Sequence, residues 1–248
     1  MKSLDKHSEL KNYYSTEKVS KDYLGQRFTS AIGRVLHEKQ VAIVNKIISE
    51  TGAKSILELA CGPARLTCDI ICADTNCAVD GSPAMLKIAQ QRLKEAGKGS
   101  IWKLQEADIF ELNMERKFDL IYTFRFIRHF KLDDRKKIYG VIRKHLNDGG
   151  SLIFDVVNEK VSAPIREKGQ ETEYNIYDEL YERDGFIAEM EAEGWKVERL
   201  IPVHPKFNLL YNIQVYIAPR SNRIAYGMMK FIENKFSSDS LEWIAVCK

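Results

Sequence analysis

Residues 55–67, SILELACGPARLT, constrain the fold more than any other part of the chain. The apolar run ILEL is typical of a strand buried on both faces, as at the centre of a parallel sheet. Small residues follow at Ala60, Gly62 and Ala64, where a ligand can approach the backbone closely. A helix predicted over residues 63–73 would point free N–H groups at that ligand. In a doubly wound sheet, this crevice at the carboxyl end of a strand is where nucleotides bind.

The loop is a poor match for a phosphate-bearing nucleotide. A dinucleotide fingerprint needs G-x-G-x-x-G, whereas only Gly62 is present here and Pro63 has no N–H to donate. Glu58 places a carboxylate at the strand end, where it would repel a phosphate and attract a cation. S-adenosylmethionine has this chemistry, because it carries an adenosyl group, a sulfonium and an ammonium but no phosphate.

Asp80 ends the next apolar run, CAVD, 18 residues beyond Gly62. An acidic residue at this spacing can accept both ribose hydroxyls of an adenosyl ligand. The sequence therefore predicts that Asp80 binds the sugar.

At this point the chain resembles the class I S-adenosylmethionine-dependent methyltransferases, over residues 54–158 and again over residues 181–203. Five segments carry the resemblance in the family's order: ILELACGPARLT, AVDGSPAMLKIAQQR, EADIFEL, KFDLIYTFRFIRHF and LNDGGSLIFDVVN. The first departs from the family's Gly-x-Gly-x-Gly, since Ala60 and Ala64 replace two glycines. The resemblance implies a Rossmann-like α/β fold, with a doubly wound, mostly parallel seven-stranded sheet and an antiparallel final hairpin strand.

The resemblance also implies S-adenosylmethionine as cofactor and a set of residues around it. Asp108 would accept a hydrogen bond from the adenine amino group, and Ile109 would lie beneath the ring. Met85 would contact the adenine, although an ordinary core methionine fits its position nearly as well. The predicted cofactor-binding residues are Glu58, Ala60, Gly62, Asp80, Gly81, Met85, Asp108, Ile109, Phe124, Tyr23 and Arg27.

Residues 1–52 are predicted to form an N-terminal helical lid, because N-terminal helices close over the sulfonium end of the cofactor in similar enzymes. Tyr14, Tyr23 and Arg27 are its candidate site residues, each with a hydroxyl or guanidinium that could meet a carboxylate or a substrate. Tyr14 is also a candidate catalytic residue. The alternative is that these side chains only pack against their neighbours.

Two candidate catalytic residues, Arg125 and His129, follow the predicted fourth strand. His129 could act as a general base for an oxygen or protonated-amine nucleophile. Alternatively, it caps the next helix or pairs with Asp133 or Asp134. Arg125 is better suited to bind an acidic group of the acceptor.

Residues 204–240 lengthen the family's final hairpin and are predicted to be an insertion into the core formed by residues 53–203 and 241–248. Three roles are open, in this order of preference. The insertion could cap the acceptor pocket, form a homodimer interface, or rest on lipid as a basic amphipathic helix.

Charge and composition limit the function classes. The chain has 38 basic and 35 acidic residues, which is not the basic field expected for nucleic-acid binding. No apolar run reaches the length of a membrane span, and the polar start MKSLDKHSELK does not fit a signal peptide. Five cysteines without a C-x-x-C motif predict free thiols and no metal site. A cytoplasmic protein without stable membrane insertion is expected.

The sequence therefore predicts an enzyme that moves a methyl group from S-adenosylmethionine to an O or N atom of a small-molecule acceptor. Methyl transfer is an in-line displacement, so the enzyme mainly positions and desolvates the nucleophile. Two alternatives remain: a noncatalytic, methyltransferase-like binding protein, or an enzyme with a lipid-like or macromolecular acceptor.

Overall fold

The structure, a computed structural model, describes residues 29–168 and 177–248. Its centre is a single sheet in which buried apolar segments alternate with helices along the chain. The strands are β1 (Ser55–Leu59), β2 (Thr75–Asp80), β3 (Trp102–Glu106), β4 (Phe118–Thr123), β5 (Leu146–Asn158), β6 (Leu180–Tyr181), β7 (Val197–Val203) and β8 (Glu242–Cys247).

The sheet order is β3-β2-β1-β4-β5-β8-β7, and the two-residue β6 pairs with the end of β5. The strands β1 to β5 pair in parallel, whereas β8 runs antiparallel to both β5 and β7. This confirms the predicted doubly wound, mostly parallel sheet with an antiparallel final strand. The predicted number of seven strands is wrong by one, because the two-residue β6 adds an eighth. The chain order reverses between β1 and β4, and a doubly wound sheet binds its ligand at such a switch point.

Seven α-helices lie in the described part of the chain. They are α1 (Ala31–Thr51), α2 (Pro83–Glu95), α3 (Leu132–His145), α4 (Glu159–Lys168), α5 (Arg183–Ala192), α6 (Phe207–Asn212) and α7 (Asn222–Lys235). Two 3₁₀ turns (Ile109–Glu111 and Ile127–His129) and one π-helical turn (Ile213–Ile217) complete the helical elements.

Two helix ends are explained by their local sequence. Gly52 ends α1 in a left-handed conformation with φ 65°. Ser82 caps α2, because its Oγ accepts a hydrogen bond from the Met85 N–H at 3.3 Å, and Pro83 occupies the first helical position.

The predicted helix over residues 63–73 is wrong. Residues 62–69 form successive turns instead, held by hydrogen bonds such as Ala64 N–H to Cys61 O at 3.1 Å and Ile70 N–H to Leu66 O at 3.1 Å. The reason is the backbone of Ala64, whose φ of 57° is left-handed and cannot continue a right-handed helix.

Apolar side chains fill both faces of the sheet. Leu57, Phe118 and Phe154 belong to the cluster beneath α3 and α5, and Ile56 and Leu120 belong to the cluster against α1. No helix in the described part is long and apolar enough to cross a bilayer.

Residues 204–240, here called the helical insertion, connect β7 to β8 and contain α6, the π-helical turn and α7. Glu242, which follows the insertion, pairs with both Val157 and Val203, so the insertion rises from the carboxyl edge of β5. A small cluster joins it to the start of α1, where Ala31 and Val35 pack against insertion residues Leu210, Ile213, Ala225, Met229 and Ile232. The division into lid, core and insertion stays a prediction.

Candidate functional site

A cleft with a cavity volume of about 150 Å³ opens at the carboxyl ends of β1, β2 and β4. It brings together most of the predicted site residues that lie in the described part. Its walls are formed by Ala60, Gly62, Pro63, Val79, Asp80, Gly81, Ser82, Met85, Ala107, Asp108, Ile109, Phe124, Arg125, Phe126, His129 and Phe130. Tyr14, Tyr23 and Arg27 lie outside the described residues, so their roles stay predictions.

The loop after β1 adopts a left-handed conformation at every second residue. The φ angles are 52° at Ala60, 54° at Gly62 and 57° at Ala64. The two alanines thus adopt the backbone conformation that glycine adopts without penalty, which costs a residue with a Cβ about 1–2 kcal/mol. At Gly62 an added Cβ would meet no atom within 4 Å. The loop therefore keeps a glycine-like shape at the expense of backbone strain.

We expect Ala60→Gly to raise the free energy of unfolding by about 0.5–1 kcal/mol. Relief of left-handed strain exceeds the extra backbone entropy that glycine brings to the unfolded chain. Ala107→Gly is the matched control, because Ala107 lines the same cleft and is absent from the positive-φ residues. Urea unfolding measures both changes. Equal destabilisation by the two substitutions would show that Ala60 carries no strain.

Asp80 ties the β1 loop to the end of β2. Its Oδ2 accepts the Gly62 N–H at 2.7 Å, and its Oδ1 accepts the Ser82 N–H at 2.8 Å. Burial raises the pKa of Asp80, and these two backbone hydrogen bonds oppose the rise. Each oxygen of an ionised carboxylate can accept a second hydrogen bond. The tethered side chain can therefore still receive hydroxyl donors from a ligand in the cleft.

Glu58 lies behind the loop rather than in the wall of the cleft. It is buried, and it accepts hydrogen bonds from Thr67 Oγ1 at 2.5 Å and from the Tyr122 hydroxyl at 2.8 Å. Burial raises its pKa to about 7, although these two hydrogen bonds favour the charged form. Its predicted contact with a cationic ligand stays a prediction.

We expect the raised pKa of Glu58 to make the protein less stable as pH rises. The folded state holds the proton up to about pH 7, whereas the unfolded carboxyl loses it near 4.5, so the free energy of unfolding falls between these values. Glu58→Gln removes this titration and should reduce the fall by about 3 kcal/mol. Urea unfolding across this pH range compares the two proteins. Parallel curves would contradict the expectation.

The part of the cleft beyond β2 and β3 is largely apolar. Met85 and Ile109 are buried, and Phe124 extends the same wall. Asp108 caps the short 3₁₀ turn that follows β3, where its Oδ1 accepts the Phe110 N–H at 3.0 Å. This arrangement offers a flat hydrophobic ligand an apolar surface with one carboxylate at its edge.

Arg125 is the first charged residue after β4, and it lines the cleft. Its backbone is left-handed, with φ 58°, and its N–H donates to Asp155 Oδ1 at 2.6 Å. Its guanidinium has no hydrogen-bond or ion-pair partner within residues 29–168 and 177–248, and its Nε is buried. Its positive charge favours the ionised form of the buried Glu242, and its guanidinium N–H groups can still bind an anionic ligand group.

Arg128, three residues later, is buried in a carboxylate network instead. Its Nη1 lies 3.1 Å from Asp155 Oδ2 and 3.6 Å from Glu242 Oε2, and its Nε lies 3.2 Å from Asp178 Oδ1. These carboxylates come from distant parts of the chain. The ion pairs of Arg128 hold these distant segments together beneath the cleft. Arg125, in contrast, lines the cleft itself.

His129 lines the cleft and pairs with Asp178, so the predicted partners Asp133 and Asp134 are wrong. Its Nδ1 lies 2.8 Å from Asp178 Oδ1 and 2.9 Å from Tyr177 O. Both neighbours are acceptors, so Nδ1 carries the proton and Nε2 of the neutral ring is free to accept one. Burial opposes the charged form of Asp178, but the hydrogen bond from His129 and the charge of Arg128 hold its pKa well below its usual range.

Sequence analysis missed the aromatic wall beside His129. Phe126 and Phe130 line the cleft with their ring centroids 5.0 Å apart, and Phe110 lies 5.6 Å from Phe130. The segment FRFIRHF at residues 124–130, in which apolar and basic residues are mixed, is the sequence signal that could have predicted this wall. In the described part, no group of three or more His, Cys, Asp or Glu side chains is placed to hold a metal ion.

Comparisons with known proteins agree with this geometry. Residues 56–150 match the family model described as "Methyltransferase domain". In a comparison with curated protein sequences, nothing matches the chain.

Solved structures share the fold at low sequence identity. The chain is similar to an S-adenosylmethionine-dependent methyltransferase from Clostridium acetobutylicum ATCC 824, with 18% identity, a TM-score of 0.59 and coverage of 86% of this chain and 91% of that chain. It is also similar to magnesium protoporphyrin IX methyltransferase (ChlM) from Synechocystis PCC 6803 with bound SAH, with 12% identity, a TM-score of 0.66 and coverage of 97% and 98%. A third similar structure is the "DhpI-SAM-HEP complex", with 16% identity, a TM-score of 0.62 and coverage of 100% of this chain and 99% of that chain. At these identities the likeness shows the fold.

Proposed function

Because residues 56–150 are a class I S-adenosylmethionine-dependent methyltransferase domain, we propose that this enzyme methylates an O or N atom of a small acceptor that carries an acidic group. The observation that carries the choice of acceptor is the guanidinium of Arg125 in the wall of the cleft, which makes no hydrogen bond or ion pair with the residues that the structure describes. A cation held there favours an acceptor with a carboxylate or phosphate near the atom to be methylated.

The residues of the cleft fit S-adenosylmethionine. Asp80 would accept the ribose hydroxyls, Asp108 would accept the adenine amino group, and Ile109 and Met85 would contact the ring. The backbone of Ala60 and Gly62 would face the amino-acid part, where the glycine-like loop leaves room. The cofactor supplies a methyl group that is already activated for displacement, so this chain has to orient the acceptor and exclude water.

His129 is the proposed general base. Its Nδ1 proton is held by Asp178 and by the Tyr177 carbonyl, which leaves Nε2 to take a proton from a hydroxyl or ammonium acceptor. Asp178 is a positioning residue, because it fixes the ring and stabilises the imidazolium. Phe126 and Phe130 would limit the access of water to the reacting atoms.

The free cysteines support a reducing compartment, and we propose the cytoplasm. Cys61, Cys68, Cys72, Cys77 and Cys247 all lie in the described part and form no disulfide.

Methyl transfer to paired acceptors tests this function. Each pair consists of a hydroxy or amino compound with a carboxylate or phosphate and its neutral ester or deletion analogue. Transfer from labelled S-adenosylmethionine is expected to favour the acidic member. If no pair shows this preference, the acidic-acceptor proposal is wrong.

We expect Arg125→Gln to raise KM for an acidic acceptor about thirtyfold, because loss of a charge-assisted hydrogen bond costs about 2 kcal/mol. KM for the neutral analogue and the affinity for S-adenosylhomocysteine should stay unchanged. Glutamine keeps the Cβ, so the left-handed backbone strain is the same in both proteins. Arg116→Gln is the matched control, because Arg116 is an exposed arginine that lies outside the cleft and donates a hydrogen bond to the Thr75 hydroxyl. Equal KM increases for charged and neutral acceptors would exclude charge recognition by Arg125.

A further inference from the structure

The helical insertion exposes a hydrophobic surface. The exposed fractions of Tyr216, Phe231 and Ile224 are 64%, 60% and 59%. Most of the large hydrophobic side chains exposed in the described part of the chain belong to the insertion: Leu209, Tyr211, Val215, Tyr216, Ile224, Met228, Phe231 and Phe236. A concentration of this kind marks an interaction surface rather than scattered surface residues.

The helix α7 has two apolar stripes, of which only one is buried. Ala225, Met229 and Ile232 face inward and pack in the cluster with α1. The outer stripe, defined as Ile224, Met228 and Phe231, follows the same helical spacing one residue earlier and is exposed. Within the part of the chain that the structure describes, nothing covers the outer stripe. The outer stripe is therefore open to a partner other than residues 29–168 and 177–248.

The charges around the outer stripe are positive. Arg223 and Lys235 are exposed on α7, as is Arg220 just before it. The insertion contains two acidic residues. Glu233 is buried and accepts the His204 N–H at 3.0 Å, and Asp239 pairs with Lys206 at 2.7 Å. The exposed apolar face thus has basic neighbours, and both carboxylates of the insertion itself are paired.

This charge pattern separates the three roles open to the insertion. No residue of the insertion lines the described cleft, which argues against a cap. In a twofold dimer formed through the outer stripe, Arg223 and Lys235 of the two copies would lie at the same interface. Their like charges would repel each other, which argues against a homodimer. Residues 1–28 contain six basic and four acidic residues, so they do not supply the missing negative charge either.

We propose that the helical insertion docks on an anionic lipid surface, with the outer stripe in the headgroup region and Arg220, Arg223 and Lys235 against the lipid charges. An amphipathic helix with a basic border binds membranes in this way. Because the insertion rises from the carboxyl edge of β5, docking brings the edge of the sheet that carries the cleft close to the membrane. The proposal concerns binding and does not depend on the acceptor.

Co-sedimentation of the full-length protein with vesicles tests the proposal. Vesicles of phosphatidylcholine alone are compared with vesicles of equal parts phosphatidylcholine and phosphatidylglycerol. Binding to the mixed vesicles should be at least about tenfold stronger and should weaken as salt rises, since each basic residue at an anionic surface contributes about fivefold. Absence of binding, or equal binding to both vesicles, overturns the proposal.

Paired variants locate the surface. Ile224→Ser/Phe231→Ser and Arg223→Glu/Lys235→Glu should each lose at least about tenfold in binding to the mixed vesicles. Ile101→Ser and Lys103→Glu, which replace exposed residues on and beside β3, should bind like the unaltered protein. Unchanged affinity for S-adenosylhomocysteine shows that each variant is folded. If the insertion variants bind as well as the controls, or if Ile224→Ser/Phe231→Ser instead dissociates a dimer in sedimentation equilibrium, the surface is not a lipid-docking site.

Discussion

Replacing Asp80 with alanine is expected to weaken S-adenosylhomocysteine binding about a thousandfold. Two hydroxyl hydrogen bonds to a carboxylate contribute about 4 kcal/mol together, which corresponds to this factor. The substitution also releases the N–H groups of Gly62 and Ser82, which the carboxylate holds at 2.7 and 2.8 Å. Both effects act on the same cleft, because the loop that Asp80 tethers would face the amino-acid part of the ligand. Isothermal titration calorimetry measures the loss.

A second pair of measurements separates the sugar contact from the loop tether. Asp80→Asn keeps a side-chain oxygen that can hold one backbone N–H, but it removes the negative charge. If Asp80 binds the ribose as proposed, 5′-methylthioadenosine should bind the unaltered protein more tightly than its 2′-deoxy analogue, because the carboxylate would accept the 2′ hydroxyl. In Asp80→Asn the two compounds should bind with more similar affinities, since the interaction energy between residue and hydroxyl is lost.

The controls define what would refute the sugar contact. Thermal unfolding of Asp80→Asn checks that the tethered loop remains folded. NAD⁺ should bind poorly to every variant, because Pro63 removes a phosphate donor and the buried carboxylates oppose phosphate. If the advantage of the 2′ hydroxyl persists in Asp80→Asn, the ribose is bound elsewhere.

The sheet could be predicted from the sequence because its signals are local. The apolar run before Ala60 predicted β1, and the five segments that resemble the methyltransferase family predicted the parallel sheet around it. Asp80 could be located for the same reason, since it ends an apolar run at a fixed spacing from Gly62. The cleft gathers the residues that follow β1, β2, β3 and β4 because parallel strands end at one edge.

What the sequence could not predict depends on contacts between distant residues. His129 and Asp178 are far apart in the sequence, so the nearby Asp133 looked equally suitable as a partner. The different roles of Arg125 and Arg128 arise from Asp155 and Glu242, which lie on β5 and β8. The left-handed backbone at Ala64 was hidden for another reason, because alanine is a good helix former and ordinarily continues a helix.

His129→Gln is expected to lower kcat about 100- to 1,000-fold, the range for loss of a general base. The pH–rate profile of the variant should differ from that of the unaltered enzyme, because a neutral imidazole can accept a proton at Nε2 and glutamine cannot. The affinity of the variant for S-adenosylhomocysteine should stay the same. The pH–rate profile with a hydroxyl or ammonium acceptor is the measurement.

Two further variants decide how His129 acts. Asp178→Asn should lower kcat less than His129→Gln, because the ring loses the carboxylate partner 2.8 Å from its Nδ1 but keeps Nε2 as a proton acceptor. His37→Gln is the matched control, since His37 pairs with Asp69 at 2.9 Å outside the cleft and should leave rate and profile unchanged. An unaltered profile and rate in His129→Gln would remove His129 from the mechanism. Methyl transfer would then rest on positioning alone, with an acceptor that reaches the cleft already deprotonated.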